Sequence, residues 1–151
     1  MPYQKKTILA ILQELNNTIY LPAIQRKYVW KEEQMEKLMD SLLLGYPIGT
    51  FLFWKVPGKV INEKGYSLYE FIKNYHERDC AINPHAPKPI TKEKIHAVLD
   101  GQQRLTTLFI ALQGTLAMKM PMKRWDNDNA FPKKELYFNL KSQKRNDTAC
   151  A

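Results

Sequence analysis

The stretch from Ile95 to about Met118 constrains the fold most. Ile95-His96-Ala97-Val98-Leu99 is a short β-prone run, and Asp100-Gly101 turns the chain. Helix-forming residues follow from about Gln102 to Met118, with Leu105, Leu108, Phe109 and Leu112 on one face, before Pro121 ends the element. The same junction has chemical meaning. A helix N-terminus leaves backbone N–H groups without intrahelical acceptors and carries partial positive charge, so it receives phosphate readily. Gly101 lets backbone approach an anion closely. Arg104 falls in the first helical turn, where a cation opposes the helix dipole unless an anion lies between them. Gln102 and Gln103 add neutral donors. The plain alternative is a turn with Asp100 as N-cap and Arg104 in solvent. There is no Gly-Lys-Ser/Thr and only one glycine in the turn, so this is neither a P-loop nor a Rossmann fingerprint.

Elsewhere the pattern alternates. Residues 7 to 16 set Ile8, Leu9, Ile11, Leu12 and Leu15 on one helical face, and Thr18 to Leu21 is β-prone and closed by Pro22. Residues 31 to 44 form the clearest helix, with Met35, Leu38, Met39, Leu42 and Leu43 in register, Glu32 and Glu33 at its start, and Gly45 and Pro47 past its end. Thr50 to Val56 reads as a buried strand. Residues 57 to 94, punctuated by Gly58, Gly65, Pro84, Pro87 and Pro89, read as an insertion holding a short amphipathic helix through Leu68, Phe71, Ile72 and Tyr75. Glu135 to Leu140 is a last strand candidate, and 141–151 a polar, frayed tail. Alternating helices and strands give a mixed class, α/β or α+β.

A second polar segment, Ala23 to Trp30, interleaves Gln25, Arg26 and Lys27 with Tyr28 and Trp30, as nucleic-acid or nucleotide surfaces do. Its bland reading packs both aromatics in the core. The net charge of +8 raises the odds of an anionic partner without choosing one. Cys80 and Cys150 offer no metal or disulfide spacing, which suits a reducing compartment. No signal peptide and no apolar run of membrane-spanning length is visible, so a cytoplasmic protein with no membrane partner is expected.

Three segments together resemble the N-terminal domain of GmrSD-type restriction enzymes. They are Ile24-Gln25-Arg26-Lys27-Tyr28-Val29-Trp30, then Asp40 through Gly49, then Val98-Leu99-Asp100-Gly101-Gln102-Gln103-Arg104-Leu105-Thr106-Thr107-Leu108. The resemblance implies an α+β fold related to ParB and sulfiredoxin, a small mixed sheet flanked by helices, spanning residues 1–140. It implies a regulatory domain of a bacterial anti-phage system acting on modified phage DNA, working with a nuclease domain or subunit. Its implied ligand is a nucleoside triphosphate, GTP or ATP, with Mg²⁺, and NTPase activity. Carried over, Arg26 and Asp100, Gly101, Gln102, Gln103 and Arg104 would bind nucleotide. Gln25, Gln102, Gln103 and Arg104 would serve hydrolysis, and Asp100 would hold the metal or simply cap the helix. His76, His85 and His96 do not resemble an HNH nuclease site, and no cleavage of DNA by this chain is expected. The rival reading is a non-enzymatic DNA-binding module that grips a backbone phosphate or a modified base.

Overall fold

The structure, a computed structural model, describes residues 3–24 and 26–139. The expectations for Gln25, Leu140, Cys150 and the 141–151 tail lie outside these residues. The fold is α+β. Helix α1 (Ile8–Glu14) starts at Thr7, whose hydroxyl accepts from the Ala10 amide, and leads into β1 (Ile19–Pro22). Helix α2 (Glu32–Leu43) follows, ending at Gly45 with φ +76°. Then come β2 (Leu52–Pro57), α3 (Gly58–Lys64), β3 (Leu68–Tyr69) and β4 (Asn74–His76). Strand β5 (Lys94–Asp100) runs into α4 (Gln102–Gln113), followed by β6 (Thr115–Ala117) and β7 (Lys133–Lys134).

The main sheet has the order β2-β5-β1-β3, with β1 and β5 parallel (Ile19 beside His96, Tyr20 beside Ala97) and β2 and β3 antiparallel on the two edges. A smaller sheet, β4-β6-β7, pairs β4 and β6 in parallel. The two-residue period of the central strands builds two cores. Ile19, Leu21 and Val98 face one cluster with Leu12, Met35, Leu38, Leu105 and Leu108, under α1, α2 and α4. Tyr20, Ile95 and Ala97 face the other, with Val56, Ile61, Leu68 and Ile90, under α3. Each such side chain, once removed from water, contributes about 1.5–3 kcal/mol before entropy is counted. Among the described residues no helix is long and apolar enough to cross a membrane.

Four local expectations are corrected. Strand β2 is an edge strand, and only Val56 of it is buried; Trp54 is exposed, and Phe53 packs half-buried against the main core. Leu68, Phe71, Ile72 and Tyr75 form no helix: they belong to β3, a bend and β4, and the helix of this region is α3, earlier in the chain. Leu68 joins the core under α3 whereas Phe71, Ile72 and Tyr75 join the main core, so their helical spacing marks burial and not a helix. Helix α4 stops at Gln113, because Gly114 passes against Lys73 and the chain enters β6. Residues 135–139 are irregular, and the strand lies just before them at β7. The 57–94 stretch lends a strand to each sheet and Phe71, Ile72 and Tyr75 to the main core.

Candidate functional site

Because β1 and β5 are parallel neighbours, the segments that follow them leave the sheet at the same end. The segment entering antiparallel β2 arrives there too, since Leu52 pairs with Asp100. The three resembling segments therefore converge on the N-terminus of α4, and ligands of sheets with parallel strands commonly sit at such carboxyl ends.

Gly101 is the N-cap of α4, with φ +91°. That conformation alone favours glycine. A Cβ at this position would also stand 2.4 Å from Cδ1 of Phe51. Asp100 is the last residue of β5 and does not cap the helix: no side chain caps it, so the first-turn amides lack both an intrahelical acceptor and a side-chain one. The exposed Asp100 carboxylate instead lies 3.3 Å from Nη2 of Arg104.

Arg104 is tied inward rather than extended into solvent. Its Nη1 donates to the Ile48 carbonyl, its Nη2 donates to the Thr50 carbonyl at 2.9 Å, and its guanidinium lies 4.9 Å from the Phe51 ring centroid. Gly49 makes this approach feasible: its φ is +86°, and a Cβ there would stand 2.6 Å from Nη1. The guanidinium Nε and the second Nη1 proton remain for another acceptor.

Gln103 binds the second polar segment with both ends of its amide. Nε2 donates to the Lys27 carbonyl at 2.9 Å, and Oε1 accepts from the Val29 amide at 3.1 Å. Between those residues Tyr28 turns inward, its hydroxyl 3.1 Å from Oγ1 of the fully buried Thr107 and its ring 5.1 Å from that of Tyr75. Burial pushes the Tyr28 hydroxyl up to about 12, the Thr107 contact opposing it in part. Arg26 is exposed and stands one residue before this clamp, with no ion pair among the described residues. Gln102 donates from Nε2 to the Val98 carbonyl at 3.1 Å.

The bland reading of the aromatics holds for Tyr28, which is buried, and for Trp30, which packs against the core. Ile48, Gly49, Thr50 and Phe51 were not singled out as site residues. The available signal was Gly49, a second glycine placed shortly before a strand. Among the described residues no group of three or more His, Cys, Asp or Glu side chains could hold a metal. The histidines are dispersed: His76 sits by Asp79 and Phe131, His85 lies against Tyr69, and His96 is in β5.

The chain is 30% identical over 132 residues to an uncharacterised protein of Methanocaldococcus jannaschii, a match covering 87% of this chain and 20% of that relative. The chain thus spans about a fifth of the length of the relative it matches. Residues 8–151 match the GmrSD restriction endonuclease N-terminal domain, which takes in the junction, its Gln103 clamp and the Arg104 tie, and the chain belongs to that family.

Proposed function

We propose that this domain, in the ParB- and sulfiredoxin-like manner its family resemblance implies, binds a nucleoside triphosphate and so regulates a restriction system directed at modified DNA. The observation that carries the reading is the N-terminus of α4. It is preceded by a glycine at positive φ, lacks a side-chain cap and has an arginine in its first turn. Oriented amides without acceptors favour a phosphate there. The remaining donors of Arg104 add positive charge beside it, and Arg26, one residue before the segment that Gln103 holds, would add more. Gln103, committed at both ends to the 27–29 backbone, acts as a positioning residue. Gln25 and Gln102 are left to orient a water for hydrolysis, as neutral amides can. Asp100 would share a Mg²⁺ with phosphate oxygens, which would neutralise phosphate charge.

Amide resonances report on this directly. On titration with GTP or ATP and magnesium, the N–H signals of Gln102, Gln103 and Arg104 should shift most. Binding that leaves those amides unmoved, or no binding at millimolar nucleotide, would sink the assignment.

A further inference from the structure

On the opposite side of the sheet from α4, the edge strand β2 leaves a large aromatic residue open. Trp54 is 43% exposed although its strand neighbour on the same face, Val56, is buried. Its partner across the pairing is Ala97, too small to cover an indole. Among the described residues the ring that the indole contacts is that of Tyr66, 6.0 Å away in an edge-on arrangement, and Tyr66 is itself 40% exposed. Tyr66 lines a cavity of about 320 Å³ whose other walls include Ile61, Leu68, Pro87, Lys88 and Ile90.

The charge around this opening is one-sided. Helix α3 and residues 86–94 carry five lysines against two glutamates. Both glutamates are already paired, Glu63 with Lys59 at 3.6 Å and Glu93 with Lys94 at 3.3 Å. Lys64, Lys88 and Lys92 are exposed and have no carboxylate partner among the described residues. A π-surface in the open and an apolar slot beside it, with the unpaired Lys88 on the slot's wall and the unpaired Lys64 and Lys92 one and two residues along the chain from its lining residues Gly65 and Ile90, together match an unpaired base with its flanking phosphates. An apolar peptide would use the slot and leave the lysines idle, and a duplex would hide its base faces from Trp54.

We propose that the Trp54–Tyr66 face is a contact site for single-stranded DNA, one unpaired base stacking on the aromatic pair while Lys64, Lys88 and Lys92 take neighbouring phosphates. The site is separate from the α4 N-terminus and does not rest on nucleotide binding there. Anisotropy of a labelled oligothymidylate, with an equal-length duplex and polyglutamate as competitors, tests it. The single strand should bind best. Trp54→Ala should weaken it about ten-fold or more, and Trp54→Phe should retain most of the affinity. Lys64→Glu with Lys88→Glu should weaken binding and flatten its salt dependence. Circular dichroism and the GTP titration should be unchanged in all three, which separates loss of this site from loss of fold or of the other site. The proposal is overturned if the folded Trp54→Ala and lysine variants bind the strand like the parent. It is equally overturned if the duplex or polyglutamate competes as well as the single strand does.

Discussion

Arg104 looked from its position in the chain like a phosphate ligand, and its guanidinium turns out also to be a tie. Two backbone carbonyls, Ile48 and Thr50, accept from it, and they belong to the segment that delivers β2. Arg104→Ala should therefore cost stability as well as affinity, about 1.5–3 kcal/mol for hydrogen bonds to a charged group. Arg104→Lys keeps the charge but not the fork that reaches both carbonyls, so it should recover little of the stability. Urea unfolding of both variants checks this, and a Lys variant as stable as the parent would show that the two-carbonyl tie contributes little to stability. His96 carries a second residue-scale effect. Its Nδ1 is buried with no hydrogen-bond partner among the described residues, and burial, then the charge of Lys6, lowers its pKa below the ordinary 6.5. The unfolded chain then binds the proton more readily. Stability should be flat above pH about 6.5 and fall as pH drops from there to the depressed folded value. Urea midpoints at pH 7.5 and 5 should differ by less in His96→Phe than in the parent.

At the scale of elements, α4 is positioned at both ends by glycines with different duties. Gly101 supplies a left-handed conformation at the start. Gly114 has ordinary extended angles and is required for room: a Cβ there would stand 1.8 Å from the Lys73 carbonyl oxygen. Gly114→Ala should push apart the start of β6 and the chain before β4, costing about 1–3 kcal/mol as overpacking does. A thermal midpoint within error of the parent would show that the contact relaxes freely. The helix between the glycines is buried almost all round, from Leu105 through Ala111, and the Thr107 and Tyr28 hydroxyls share a hydrogen bond. The 27–29 segment has no regular structure of its own, and Gln103 and Tyr28 hold it from its two sides.

For the whole molecule, the decisive feature is that two parallel central strands and one antiparallel edge strand bring three separated segments to one end of the sheet. The chain's histidines do not resemble an HNH nuclease site. Incubated with modified or unmodified phage DNA and Mg²⁺ or Mn²⁺, this chain alone should leave the DNA intact. Specific cleavage abolished by a substitution within the chain would contradict that expectation.

Periodicity and end signals in the sequence by themselves determined α1, α2, β1 and the β5–α4 junction. In those elements the end signals and most of the burial pattern agree: Gly45 ends α2, and the two-residue alternation of Ile95, Ala97 and Val98 matches two cores, whereas Leu9, Leu43 and Leu112, expected on the apolar faces of α1, α2 and α4, are exposed. The mixed class, α/β or α+β, and the strand-turn-helix at Asp100-Gly101 followed from the same local rules, and the choice of α+β came from the family resemblance. Only the tertiary structure decided the rest. Leu68 to Tyr75 carries helical spacing yet forms strand and bend, because β1 and β6 offer backbone partners that the spacing cannot reveal. Helix-forming residues past Gln113 became β6 because β4 and β7 flank them. Gln103 and Arg104 read as free polar groups along the chain, but their acceptors lie 54 to 76 residues away. Propensity acts over a few residues, whereas hydrogen-bond partners and burial are set by which distant segments meet, so the chemistry of this site was fixed only when the sheet closed.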